Sequence, residues 1–173
     1  MSRSIVCPYC QLPQSLRENQ TGEPVESYCD NCGGPLRVEG EGMRRLVTIL
    51  WIDDDRLLLS VCCKVLEGHG YRVLIATDGA TGIETAKKER PDAILLDVIM
   101  PTMHGLEVCQ SLRTYPALQE TPIILLTALE DAGVGAMGKA AGATTTLRKP
   151  FGPEYVVRVL EQMLGRKSGP PRL

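Results

Sequence analysis

An α/β protein is what the sequence predicts: five strands alternating with five helices, preceded by a small cysteine-bearing module. Three observations carry that expectation. Residues from about 45 to 164 alternate short apolar runs with amphipathic segments. The runs are continuous rather than alternating, as in parallel strands buried on both faces. Residues 1 to about 41 have a different composition, with four of the seven cysteines, four prolines and few long apolar runs.

The larger region reads in order. Leu46 to Ile52 (LVTILWI) is a first strand. Arg56 to Gly68 places Leu57, Leu58, Val61, Cys62, Val65 and Leu66 at helical spacing, and Gly68-His69-Gly70 stops it. Tyr71 to Ala76 is the second strand, and Ala80 to Arg90 a helix ended by Pro91. Ala93 to Leu96 is the third strand, and Leu106 to Leu112 anchors a third helix. Ile123 to Leu126 is the fourth strand, followed by a weaker helix over 131–141. Thr144 to Leu147 is the fifth strand, and Pro153 to Leu164 the last helix, with proline in its favoured first turn. Such an alternation implies a parallel sheet covered on both faces.

Composition narrows the class. Apolar residues make up 43% and charged residues 23%, ordinary for a soluble globular chain. With one Trp, one Phe and five Tyr, the core must be aliphatic. A net charge of -2 excludes a general polyanion binder. No apolar run is long enough to span a membrane, and MSRSIVCPYC lacks the apolar stretch of a secretory signal, so the expected compartment is the cytoplasm. Val38-Glu39-Gly40-Glu41-Gly42 has linker composition, which gives a module at 1–41, a domain at 45–165 and a disordered tail at 166–173.

In an open parallel sheet the active crevice lies beyond the carboxyl ends of the strands. The residues there are polar. The first strand ends in Asp53-Asp54-Asp55, the third in Asp97, the fourth in Thr127, and the fifth just before Lys149-Pro150. Clustered carboxylates repel one another unless a cation sits among them, and hard oxygen donors select Mg²⁺ or a similar ion. A lysine and a hydroxyl beside them complete a setting for a phosphoryl group on a carboxylate nucleophile.

These residues carry a resemblance. IDDD, LLDVIMPTMHG, LLTA and RKPF, in that order on those elements, make residues 46–164 resemble the receiver domain of two-component response regulators. The resemblance implies a flavodoxin-like, doubly wound five-stranded parallel sheet. It implies Asp97 as phosphoacceptor and Asp54 as direct carboxylate ligand of Mg²⁺. Asp53 would be the second acid, often acting through water, and the Ile99 backbone carbonyl a third protein ligand. Thr127 would bond the phosphoryl oxygens, and Lys149 would pair with Asp97 and then with the phosphate. The Lys149-Pro150 bond is often cis in the family. Asp55 is expected as the N-cap of the first helix rather than as a ligand.

The chain departs from the family at three places. Thr146 stands three residues before Lys149, where many receivers carry a Tyr or Phe ring that moves on phosphorylation. Gly133, Gly135 and Gly138 weaken the helix after the fourth strand, each interior glycine costing about 1 kcal/mol; the segment is either a mobile signalling element or a plain loop. Ile99 and Leu129, which flank the phosphoryl group in receivers, are apolar and cannot orient a water, so slow self-hydrolysis is expected.

The N-terminal module carries Cys7-Pro8-Tyr9-Cys10 and, after eighteen intervening residues, Cys29-Asp30-Asn31-Cys32. Paired CxxC motifs at this spacing point to tetrahedral zinc, with two disulfides or an iron-sulfur site as alternatives. The segment resembles a zinc ribbon, about 40 residues that would need the metal to fold. Residues 1–44 hold four arginines against six acids, and four thiolates with one Zn²⁺ would add a further -2. A nucleic-acid reader needs a basic face, so protein contact or bracing is favoured over nucleic acid. Cys62, Cys63 and Cys109 fall on helices and are read as packing residues. His69 and His104 are read as isolated, with His104 exposed.

The expected function is therefore a cytoplasmic response regulator, a phosphoprotein of a phosphorelay. A histidine kinase or phosphotransfer protein would phosphorylate Asp97, and output would run through a downstream protein contact. No helix-turn-helix or catalytic domain follows the receiver, and the transfer is self-directed, so the chain is not read as an enzyme. The alternatives are a nucleic-acid-binding regulator that reads through the ribbon, and a scaffold that does not use its acidic pocket.

Overall fold

The structure is a computed structural model that describes residues 4–7, 10, 12–15, 25–29, 31–32, 35–39, 42–128 and 133–165. It divides into two compact units, residues 1–46 and 47–173.

The first unit contains a hairpin of β1 (Ser4–Val6) and β2 (Pro13–Ser15), and a three-stranded antiparallel sheet. That sheet is formed by β3 (Val25–Tyr28), β4 (Pro35–Glu39) and β5 (Gly42–Arg45). Val38 lies opposite Met43 and Glu39 opposite Gly42. The stretch expected as a linker is thus strand at both ends. Its polar composition is outweighed by ladder bonds, which any non-proline backbone can make. Among the described residues the core of this unit is Cys7, Cys29 and Leu36, with Cys10 packed against them.

The second unit is a five-stranded parallel sheet of β6 (Val47–Ile52), β7 (Tyr71–Ala76), β8 (Ala93–Asp97), β9 (Ile123–Thr127) and β10 (Thr145–Arg148). The spatial order is β10-β9-β8-β6-β7. Five helices connect or follow the strands: α1 (Arg56–Gly68), α2 (Gly79–Glu89), α3 (Gly105–Arg113), α4 (Gly133–Ala140) and α5 (Pro153–Leu164). A single 3₁₀ turn, Pro116–Leu118, precedes β9.

Side-chain alternation divides the core in two. Leu50, Ile52, Ile94, Leu96, Ile123 and Leu125 pack with residues of α2 and α3. Ile49, Trp51, Ala93, Leu95, Ile124 and Leu126 pack with α1 and α5. Burial on both faces explains why these strands read as unbroken apolar runs.

Caps fix the helix starts. The Asp55 carboxylate accepts bonds from the backbone N–H groups of Leu57 and Leu58 at 2.9 and 3.0 Å, as expected of an N-cap. Asp78 caps α2 through the N–H of Thr81, so that helix begins at Gly79, one residue earlier than its pattern indicated. His104 is exposed, as expected, but it is not isolated: it caps α3 in a capping box with Glu107. His69 also has a partner, its Nε2 lying 3.1 Å from a Glu154 carboxylate oxygen.

Candidate functional site

The strand order reverses between β6 and β8, and the crevice outside their carboxyl ends is where open α/β sheets bind ligands. Asp53 follows β6 and Asp97 closes β8, so the two face each other across that point. Both are buried. Asp53 is fixed on three sides. Its backbone N–H donates to the Ala76 carbonyl at 3.1 Å, one carboxylate oxygen accepts from the Asp55 N–H at 3.0 Å, and the other accepts from Lys149 Nζ at 2.9 Å. Lys149 also lies 3.2 Å from Asp97 Oδ1. One ammonium therefore bridges two buried carboxylates.

The electrostatics follow from burial and proximity. Desolvation is the largest cause raising the Asp97 pKa, and the Asp53 charge adds to it, while Lys149 and the Ile99 N–H act the other way. Burial alone would lower the Lys149 pKa. Its bonds to Asp53 and Asp97 outweigh that, and the net direction is upward.

Asp54 is exposed and completes the group. The carboxylate oxygens of Asp53, Asp54 and Asp97 all lie within 4.8 Å of one another. Thr127, at the end of β9, is buried, and its carbonyl accepts the Lys149 N–H at 2.7 Å. This bond ties the last turn of β10 to the neighbouring strand and aims Lys149 inward. The Lys149-Pro150 bond is cis. Ile99 is half exposed beside Asp97. The structure thus brings Asp53, Asp54, Asp97, Ile99, Thr127 and Lys149 together at one sheet edge. Leu129 lies outside the described residues.

One residue of the site has no role assigned from sequence. A Cβ placed on Gly105 would lie 2.1 Å from the Asp97 carbonyl oxygen and 2.8 Å from Val98 Cα. The loop after β8 turns back so closely, with Gly105 N–H donating to Val98 O at 2.9 Å, that only glycine fits. The signal was the glycine of MHG, but its reason is visible only in three dimensions.

In the first unit, Cys7, Cys10, Cys29 and Cys32 place their sulfurs within 4.8 Å of one another. Cys7 Sγ lies 3.8 Å from Cys32 Sγ, and Cys10 Sγ lies 3.7 Å from Cys29 Sγ. Burial would raise the Cys29 thiol, but the N–H groups of Cys32 and Asn31 point at it and bring it down to about 7. The three other cysteines are buried in the receiver core, and burial pushes Cys63 up to about 12, the state of an inert packing thiol.

A parallel sheet with this acid triad and lysine at its switch point defines a receiver. The chain belongs to the response regulator receiver family, whose family model, "Response regulator receiver domain", matches residues 49–161. Among curated proteins, it is 39% identical over 118 residues to the response regulator MprA of Mycobacterium leprae. That match covers 68% of this chain and 51% of MprA, so the chain spans about half the length of the curated relatives it matches. Among solved structures, the chemotaxis protein CheY4 of Vibrio cholerae superposes with a TM-score of 0.66 at 35% identity, over 69% of this chain and 99% of that one. The receiver domain of the sensor histidine kinase PA1611 from Pseudomonas aeruginosa superposes with a TM-score of 0.64 at 31% identity. That match covers 69% of this chain and 98% of the other, which carries a magnesium ion coordinated in its active site cleft.

Proposed function

We propose that the chain is a two-component response regulator in which Asp97 takes a phosphoryl group from a histidine kinase or phosphotransfer protein. The observation that carries this reading is the buried Asp97 held 3.2 Å from a lysine that also binds Asp53. In the transfer, an Asp97 carboxylate oxygen attacks phosphorus. The P–N bond of the donor phosphohistidine breaks, its electron pair stays on the imidazole nitrogen, and an aspartyl phosphate forms. Lys149 pairs with the arriving phosphoryl oxygens, and the Thr127 hydroxyl donates to one of them.

The donor set fits a hard divalent ion. Three carboxylates within 4.8 Å offer only oxygen ligands, and the PA1611 receiver holds magnesium in the corresponding cleft. Asp53, Asp54, Asp97 and the Ile99 carbonyl would hold Mg²⁺, which supplies neutralisation of phosphoryl charge when bound. The apolar Ile99 offers no group to orient an attacking water, so the aspartyl phosphate is read as long-lived.

The four N-terminal cysteines are read as a zinc site. Ligands about 2.3 Å from a common centre in a tetrahedron lie about 3.8 Å apart. Two of the sulfur pairs are at 3.7 and 3.8 Å, far beyond the ~2.05 Å of a disulfide. Metal content by plasma mass spectrometry should give one zinc per chain, lost in Cys7→Ser; iron, or no metal, would remove this assignment. The acidic balance of residues 1–44 favours a protein partner for the module. Among the described residues no helix is long and apolar enough to cross a membrane, and the proposed compartment is the cytoplasm.

Intact mass after incubation with Mg²⁺ and a small phosphodonor, run beside Asp97→Asn, tests the central claim. One added phosphoryl group on the wild type alone supports it. No adduct, together with no binding of beryllofluoride, would remove phosphorylation as the signal.

A further inference from the structure

We infer that the four-cysteine site is a peroxide-sensitive switch, in which Cys32 is the thiolate attacked and Cys7 the thiolate that resolves the product. This rests on the zinc reading of those four residues and is independent of the receiver pocket.

Access separates the cysteines. Of the seven, Cys32 alone is exposed and Cys10 is half-buried; Cys7, Cys29, Cys62, Cys63 and Cys109 are buried. Oxidation of a cysteine follows its thiolate character and its exposure. Cys62, Cys63 and Cys109 fail on both counts, packed as they are among apolar side chains. Cys32 meets both, because a cysteine that serves as a zinc ligand is deprotonated. Its place explains its exposure: it follows Asn31, itself exposed, in the turn that closes the second CxxC pair.

The resolving partner follows from the neighbours. Cys7 Sγ lies 3.8 Å from Cys32 Sγ. Cys29 Sγ is engaged otherwise, accepting the Cys32 N–H at 3.5 Å and lying 3.7 Å from Cys10 Sγ. In the first step the Cys32 sulfur attacks one peroxide oxygen. The O–O bond breaks, the departing oxygen takes a proton and leaves as water, and a sulfenic acid remains on Cys32. The Cys7 thiolate then attacks that sulfur. An S–S bond forms, the S–O bond breaks, and the hydroxyl leaves with a proton as a second water. Two electrons pass from the two sulfurs to the peroxide. The sulfurs must close from 3.8 Å to the ~2.05 Å of a disulfide, a short movement for a residue in an exposed turn. Cys10 and Cys29 are then the donors left, and two thiolates do not close a structural site. Loss of the ion follows, and with it the folding energy that the ion supplies.

Hydrogen peroxide added to the zinc-loaded full chain, followed with a metallochromic dye and by peptide mapping, tests this. A linked Cys7–Cys32 peptide should appear first, in step with release of about one zinc per chain, and a dithiol reductant with added zinc should reverse both. Cys62, Cys63 and Cys109 should be oxidised at least about tenfold more slowly. Cys32→His puts a zinc-binding nitrogen in place of the exposed sulfur, and should hold its ion through a peroxide dose that empties the wild type. If that variant takes up no zinc, the mapping in the wild type decides alone. Zinc retained in the wild type while the receiver thiols oxidise would overturn the switch, as would a first disulfide that leaves out Cys32 or Cys7. A zinc-loaded Cys32→His chain that emptied as readily as the wild type would overturn it too. Absence of zinc from the untreated wild type would instead overturn the metal reading beneath it.

Discussion

Lys149 stands closer to Asp53 than to Asp97, 2.9 against 3.2 Å, which makes it a competitor for a proposed metal ligand. Removing the ammonium with Lys149→Met should therefore tighten Mg²⁺ binding, by about tenfold, while phosphorylation slows; titration followed by calorimetry checks the first and intact mass the second. Asp97 makes a second prediction with a definite sign. Its folded pKa is raised by burial and then by Asp53, so the folded state binds its proton more tightly than the unfolded chain does. The contribution is fully present below the ordinary aspartate value of about 3.9 and is lost as pH rises through the raised value. Asp97→Asn lacks this loss. Its Tm should exceed that of the wild type at neutral pH, and the gap should close as pH falls toward about 4. Gly105→Ala has no such compensation. The 2.1 Å approach to the Asp97 carbonyl forces the loop to move, so both stability and phosphorylation should fall. A variant that melted with the wild type and phosphorylated normally would show that the loop adapts freely.

Helices and strands differ in how much of their placement the sequence carried. The span of α1 and of α5 could be read outright, because Asp55 is an ordinary cap and Pro153 an ordinary first residue. Replacing the cap with Asp55→Ala should cost about 1 kcal/mol, measurable by urea denaturation. The five parallel strands were legible because burial on both faces leaves no alternation to misread. The strands β4 and β5 were not, since a Val-Glu-Gly-Glu-Gly run carries no apolar signal and its pairing is decided by neighbours. The His104 cap was missed for a related reason: an imidazole rarely plays that part, and only the reach of its Nδ1 to the Leu106 N–H, at 3.4 Å, reveals it. Of the site, every strand-end residue was readable from order and spacing. The lysine bridge to Asp53 and the Gly105 approach were not, because neither has a sequence period.

Across the whole chain, the two units are held by different means. The receiver has two apolar layers, one on each face of its sheet. The described core of residues 1–46 is three buried side chains, two of them cysteines. A described core of this size offers little to offset the entropy of ordering its strands, and on the zinc reading bound metal would supply the difference. Treatment with a strong zinc chelator should abolish amide protection in β1 to β5; protection that survived would mean that the module folds without its ion.

Trp51, the only tryptophan, sits fully buried in the middle of the receiver sheet, two residues before Asp53, and its indole N–H meets no hydrogen-bond partner among the described residues. Excited selectively, this one indole is in consequence a private channel to the receiver sheet. Its emission shift on heating reports the opening of that sheet, whereas residues 1–46 hold no tryptophan and only Tyr9 and Tyr28 as fluorophores. A single smooth fluorescence melt must not be taken as proof that the chain unfolds in one step.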